Sequence, residues 1–265
     1  MANTQSKGTA LITGASTGIG AIYADRLARR GYDLVIVARN QDRLNVLAKK
    51  LTTETGRSIE VVAADLTNPG DVEKVEKVLR EDASITMLVN NAGVGSVASI
   101  LQADVNAMEQ MINLNITALT RLSYAAAPGF VKRGTGTIVN ISSVVAIAVE
   151  ALNGVYSASK SYVLSFGHSL QKDLADTGVR IQTVLPAATA TEFWDVAGYA
   201  PAKTSDTTMR AEDLVDAALA GFDAGELVTI PALHEAEAWT RWEQERREMA
   251  GKFRNAKPAP RYHVR

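Results

Sequence analysis

Two hydrophobic periods alternate along the 265 residues of the chain. Short apolar runs rich in β-branched residues recur at 9–13, 34–38, 59–63, 87–89, 137–141, 181–185 and 228–230. Runs of that length with little polar alternation read as strands covered on both faces. Between them lie longer segments with apolar positions at helical spacing, over 22–30, 43–55, 72–80, 105–127, 156–177 and 211–224. Strands that alternate with helices need crossover connections, and these predict a mostly parallel sheet of about seven strands with helices on both faces. Punctuation supports the cuts. Gly31 and Gly178 stand where helix C′ glycines are expected, and Asn68-Pro69-Gly70 opens a helix with Pro in its first turn. Residues 232–251, with Trp239 and Trp242 at i,i+3, read as a C-terminal amphipathic helix, and 257–261 as an extended tail. With no repeat, low-complexity stretch or linker, one domain over 1–265 is expected.

Composition narrows the function classes. Hydrophobic residues make up 46% and charged residues 22%, the balance of a globular α/β protein. A formal net charge of −1 with mixed signs predicts neither nucleic acid nor an anionic membrane as partner. The absence of cysteine excludes disulfides, thiolate metal sites and a cysteine nucleophile. The polar start Met1-Ala2-Asn3-Thr4 lacks the pattern of a leader, and no apolar run reaches the roughly 20 residues that span a bilayer. The expectation is a cytoplasmic protein. No metal is expected: His168, Glu192 and Asp195 share no ligand spacing, and His168 reads as a packed or interface histidine. The charge run 241–248 reads as a solvated helix face.

The chemistry is concentrated at strand ends. In an open parallel sheet ligands bind outside the carboxyl ends of the strands, and six of the seven predicted strands are followed there by an unusual cluster. After the first comes Thr13-Gly14-Ala15-Ser16-Thr17-Gly18-Ile19-Gly20, then a helix. Glycines allow a tight turn and close approach of a ligand, and the helix N-terminus favours a pyrophosphate. After the second, Ala38 removes the carboxylate that would hold a ribose 2′-OH, and Arg39 offers a planar cation for a 2′-phosphate. NADP(H) is therefore the preferred cofactor, with NAD(H) possible. Asp65-Leu66 and Asn90-Asn91-Ala92-Gly93 follow the third and fourth strands, where adenine and its ribose would lie.

Ser142-Ser143 ends the fifth strand, and thirteen residues after Ser143 comes Tyr156, four before Lys160. At i,i+4 the phenol and the ammonium share one helix face. A tyrosine titrating near 10 is a poor acid or base at neutral pH, and a nearby cation lowers that value. A serine hydroxyl at the facing strand end can bond a substrate oxygen as charge develops.

Together these residues resemble the compact, single-domain branch of the short-chain dehydrogenases/reductases. The motifs run from Thr9 to Thr191 and include Asn115 and the segment Pro186-Ala187-Ala188-Thr189-Ala190-Thr191. The resemblance implies a doubly wound, Rossmann-type domain and hydride transfer between nicotinamide and a carbonyl or alcohol carbon. It implies that Tyr156 exchanges the proton, that Lys160 lowers its pKa and binds the nicotinamide ribose, and that Ser143 orients the substrate. Asn115 would bend a helix and hold a relay water. Cofactor contacts are implied for Gly14, Ser16, Thr17, Gly18, Ile19, Gly20, Arg39, Asp65, Leu66, Asn91, Ala92, Gly93, Pro186, Thr189 and Thr191. The family's glycine after the proline is Ala187 here, and no glycine follows Ser143 in Val144-Val145-Ala146-Ile147-Ala148. The substrate loop falls at about 190–212. Its aromatics, Trp194 and Tyr199 among them, form either a lid or the packing of a short helix. Family members pair through two long helices, here 105–127 and 156–177, so a homodimer or homotetramer is expected. The alternatives are a nucleotide sensor without turnover, which has no need of Asn115, Ser143, Tyr156 and Lys160 together, and an epimerase or dehydratase, which carries more chain after the last shared strand.

Overall fold

A computed structural model describes residues 7–264; the polar start 1–6 lies outside the described residues. They divide into two compact units, one ending at Pro231 and one beginning at Ala232. In the first, β1 (Thr9–Thr13), α1 (Gly18–Arg29), β2 (Asp33–Ala38), α2 (Gln41–Thr55), β3 (Ile59–Ala63), α3 (Pro69–Glu81) and β4 (Ile85–Asn90) alternate without exception. There follow α4 (Val105–Ile112), α5 (Leu119–Arg133), β5 (Gly136–Ile141), α6 (Gly154–Asp173) and β6 (Val179–Val184). The rest is β7 (Thr189–Ala190), α7 (Phe193–Ala197), β8 (Met209–Arg210), α8 (Ala211–Asp223) and β9 (Val228–Thr229). Among the described residues the main sheet has seven strands in the order β3-β2-β1-β4-β5-β6-β9, and every pairing is parallel.

Both faces of the sheet are covered, as continuous apolar strands require. Ile12, Ile36, Met87 and Val139 pack with Leu27, Leu44 and Leu214 of α1, α2 and α8. On the opposite face Leu11, Val35, Leu88 and Ile138 pack with Val75, Leu122 and Leu170 of α3, α5 and α6. The strand order reverses between β1 and β4, which opens a crevice at their carboxyl ends.

Three local expectations need correction. The single helix over 105–127 is α4 and α5 joined by a π-helical turn over Asn113–Ala118; hydrophobic spacing does not reveal one extra residue in a turn. The helix carrying Tyr156 ends at Asp173 with Leu174 as C-cap, so Gly178 is not its C′ glycine but lies against the carbonyl of Gly134 just before β6. The tail is not wholly extended, because Pro260–Tyr262 forms a 3₁₀ turn.

The second unit is built on α9 (Ala236–Gly251). Trp239 and Trp242 stack at 4.9 Å, as their i,i+3 spacing suggests. Glu243, within the run read as solvated, is instead buried and takes hydrogen bonds from Arg246 and Arg247 at 3.0 and 3.1 Å.

Candidate active site

The crevice is fixed by one threonine. Thr13 Oγ1 at the end of β1 accepts from the backbone N–H groups of Asn91 and Ala92, both at 3.0 Å. The Asn91 amide returns a bond to Thr13 O at 2.9 Å. The turn into α1 is thereby locked to the end of β4. Gly14 has φ +66°, and a Cβ there would meet Asn91 Nδ2 at 2.8 Å. Gly20 turns inward, where a Cβ would overlap the carbonyl of Gly14, and it does not line the cleft. Its place is that of a packing glycine rather than a ligand contact. Thr17 is the N-cap of α1, yet its side chain makes no capping bond, and the first turn carries no acid. That helix end suits an anion.

From this turn a cleft of about 470 Å³ runs along the strand ends. Ser16, Thr17, Gly18, Ile19, Arg39, Asp65, Leu66 and the segment 91–93 line it, as do Pro186, Thr189 and Thr191. Asn40 caps α2 by accepting from Arg43 N at 3.0 Å, which starts that helix at the cleft with Arg39 and Arg43 both on its wall. Burial pushes the Asp65 carboxyl up, but bonds from the Thr67 N–H and hydroxyl, with the charge of Arg39, hold it below the ordinary value. Ala187 has ordinary negative-φ backbone, so the missing glycine brings no strain, and Thr189 Oγ1 closes the turn on Ala187 O at 2.9 Å.

At the far end of the cleft lie Ser143, Tyr156 and Lys160, all buried. Asn153 starts α6 by accepting from the N–H groups of Val155 and Tyr156 at 2.9 and 3.3 Å. Such a cap is worth about 1 kcal/mol and fixes where Tyr156 leaves the helix. Ser143 Oγ donates to Pro186 O at 3.2 Å and accepts from Val145 N at 3.3 Å, beside the Tyr156 hydroxyl. Lys160 Nζ donates to Ile141 O at 3.0 Å and sits 5.8 Å from the centre of the Tyr156 ring. Asn115, in the π turn, does not line the cleft. Its Oδ1 accepts from Val94 N at 3.0 Å, and its amide donates to Val94 O at 2.9 Å and Ser159 Oγ at 3.1 Å. It ties the loop after β4 to α6, and the π turn is the bend that places it.

Burial shapes the proton chemistry. It pushes the Tyr156 hydroxyl up to about 12, while the bond with Ser143 pulls the other way. It pulls the Lys160 ammonium down to about 8. Desolvation disfavours the charged form of each group.

The wall next to Tyr156 is apolar: Met111 and Val145 are buried with it, and Val94, Leu152, Val155 and Phe193 pack alongside. The excursion over 191–208 leaves and returns at the parallel pair β7 and β8. Of its aromatics Trp194 is buried, donates to Thr189 O at 2.9 Å and also lines the cleft, whereas Tyr199 is half-exposed and does not. Phe193 is the ring that faces the phenol, with centres 5.6 Å apart. Sequence reasoning counted Phe193 only among the aromatics of the loop and missed Arg43; no spacing rule connects residue 193 or 43 to the site.

Comparison with known proteins agrees with this geometry. A family model described as short chain dehydrogenase matches residues 8–199. A short-chain dehydrogenase from Sphingobium yanoikuyae, solved in complex with NADPH, is 49% identical with a TM-score of 0.93, covering 96% of this chain and 100% of that one. A bulky-bulky ketone specific alcohol dehydrogenase from Comamonas testosteroni is 46% identical with a TM-score of 0.90, over 97% of this chain and 99% of that one. An uncharacterised oxidoreductase of Staphylococcus saprophyticus is 34% identical over 211 residues, which are 79% of this chain and 88% of the relative. The match over residues 8–199 and the identity with these relatives place the chain in the short-chain dehydrogenase family of oxidoreductases.

Proposed function

We propose that the chain is an NADP(H)-dependent oxidoreductase that interconverts a ketone and a secondary alcohol, with Tyr156 as the acid/base. The observation that carries this reading is the convergence of Ser143, Tyr156 and Lys160 at one end of a cleft whose other end bears Arg39 and Arg43. The glycine turn and the start of α1 would hold the pyrophosphate, and Arg39 the 2′-phosphate. Asp65, Leu66 and the segment 91–93 would hold the adenosine, and Lys160, Pro186, Thr189 and Thr191 the nicotinamide end. Bound there, the cofactor supplies the carbon that gives or takes the hydride.

The remaining chemistry belongs to the side chains. A hydroxyl held up at about 12 stays protonated across neutral pH, so Tyr156 is set to donate its proton to a carbonyl oxygen as negative charge develops. Ser143 would turn its O–H from Pro186 O to the same oxygen and stabilise that charge. Lys160 would bond the ribose and, when charged, favour the phenolate needed in the oxidative direction. Asn115 positions Val94 and Ser159 around this group.

Val94, Val145, Leu152, Phe193 and Val196 give the substrate end an uncharged wall, which suits a ketone flanked by apolar groups on both sides. The ketone preference in the description of the Comamonas relative supports that class. A homo-oligomer is part of the proposal: on α5 and α6 the exposed Tyr124 stacks on Phe166 at 6.3 Å, and Phe166 on Tyr162 at 5.7 Å, a patch of aromatic surface that a second copy would cover.

The test is a paired titration with NADPH and NADH, followed by ketone reduction read as loss of NADPH absorbance. Tighter NADPH binding with turnover of hindered ketones is expected. Equal affinity for the two cofactors would remove the 2′-phosphate role, and binding without turnover of any ketone or alcohol would favour a sensor.

A further inference from the structure

Phe193 rests on two surfaces at once. One is Tyr156, whose ring it crosses at a tilt of 45°. The other is Gly95, which is buried in the loop after β4. A Cβ built on Gly95 overlaps the edge of the Phe193 ring, with Cε2 at 2.7 Å and Cζ closer still, and its three nearest neighbours are all atoms of that ring. No real Cβ tolerates such contacts, so any side chain at position 95 requires either the loop or the ring to move.

The loop is held from both sides. Val97 N donates to Ala197 O at 3.1 Å, at the end of the helix that begins with Phe193. Asn153, the cap of the helix carrying Tyr156, donates its N–H to Ser96 O at 3.3 Å and its amide to Ala98 O. The Phe193 backbone is fixed as well, with its N–H on Thr191 Oγ1 at 3.3 Å and the next residue, Trp194, buried edge-on against its ring at 5.3 Å. The ring is the movable part, and Gly95 decides where it lies.

The geometry points to Phe193 as a specificity-determining residue and Gly95 as its positioning residue: the ring roofs Tyr156 and limits the bulk of one of the two groups that flank the carbonyl carbon. This rests on the carbonyl chemistry proposed above. The absence of a Cβ at position 95 lets the ring sit back far enough for the proton donor to be reached, and the ring itself bars groups too thick to pass between it and the phenol.

Four proteins test it: wild type, Phe193→Ala, Gly95→Ala and the double variant, each assayed with NADPH on a slim ketone (cyclohexanone) and a diaryl ketone (benzophenone). Phe193→Ala should raise the diaryl-to-slim ratio of kcat/KM at least tenfold. Gly95→Ala should lower kcat/KM for the diaryl ketone at least tenfold in the presence of Phe193, and less than twofold in its absence. A ratio for Phe193→Ala within twofold of wild type, or a Gly95→Ala loss of equal size in both backgrounds, overturns the assignment. Should Gly95→Ala fail to fold, the Phe193→Ala ratio decides alone. Titrating the diaryl ketone into the same proteins with NADP⁺, where no hydride is available, separates this inference from the proposed reaction. If the wild type reduces neither ketone, the carbonyl reading fails; dissociation constants that still follow the pattern sustain the roof, and absent binding or equal constants across the set overturn it.

Discussion

The guanidinium of Arg43 and the carboxylate of Glu192 meet at 2.7 Å, joining the start of α2 to the start of α7 across the cleft. Both side chains are half-exposed, so the pair contributes little to stability, on the order of 0–1 kcal/mol. Its consequence is electrostatic. Glu192 places a negative charge on the wall where Arg39 and Arg43 would meet a 2′-phosphate. Glu192→Gln should therefore tighten NADPH binding by roughly two- to fivefold at low salt, and by less as salt screens it. Arg39→Asp should act in the opposite sense and weaken NADPH by at least about tenfold more than NADH. Isothermal titration with both cofactors reads the two variants; equal changes for NADPH and NADH would show that neither charge senses the 2′-phosphate.

Tyr156→Phe removes the proton donor and leaves the ring that packs with Phe193 and Val145. The variant should keep its NADPH affinity within about threefold and lose at least about a hundredfold in kcat, the range that general acid catalysis supplies. Because the ring and its packing remain, the Michaelis constant for the ketone should change far less than kcat. Stopped-flow reduction of a ketone turned over by the wild type would measure both, and turnover near the wild-type rate would take Tyr156 out of the mechanism.

The seven strands and the cluster at their carboxyl ends were legible because buried parallel strands are written as uninterrupted β-branched runs, and ligand sites follow from strand polarity alone. Tyr156 and Lys160 could be placed together because i,i+4 on a helix is a local rule, and Ser143 joined them through its strand-end position and the family's spacing. What escaped depends on pairs far apart in sequence. Arg43 and Glu192 are 149 residues apart, and Phe193 meets Gly95 across two separate loops. The loop's aromatics were left open between lid and packing, and the fold divides them: Phe193 and Trp194 on α7 line the cleft, while Tyr199 beyond its end does not. Gly20 belongs to a motif that marks a cofactor site, but within it the third glycine serves the turn, because the carbonyl of Gly14 occupies the space of its side chain.

Lys160 and Tyr156 make opposite contributions to stability as pH rises. Lys160 is pulled down to about 8 in the folded protein from 10.5. Between those values the unfolded chain holds a proton that the folded one has lost, so stability increases with pH through that window. Tyr156 is pushed up to about 12 from 10.0, so between those values the folded protein holds the extra proton and stability falls. Lys160→Met, which keeps the volume and removes the titration, should lose the rise between about pH 8 and 10.5, worth at most about 3 kcal/mol by the linkage of 1.36 kcal/mol per unit. Urea unfolding of both proteins at pH 7.5 and 9.5 would measure it; parallel curves would mean that Lys160 is not desolvated in solution.

Tyr124 presents 69% of its surface to solvent although it stacks on Phe166, and Ile112 and Val131 are exposed on the same run of helix from α4 to α5. An aromatic this exposed has no reason within one chain to be apolar, whereas at the centre of a two-fold contact between copies each Tyr124–Phe166 stack would be buried by its counterpart. A charge there would be desolvated in the assembly but solvated in the single chain, so Tyr124→Arg should disfavour association far more than folding. Sedimentation velocity across a concentration series should show the wild type as a dimer or tetramer and Tyr124→Arg shifted toward a single chain of 28.3 kDa, with thermal unfolding at matched low concentration nearly unchanged. A variant that keeps the wild-type mass would place the interface on another face, and a wild type that sediments as one chain would remove the oligomer from the proposal.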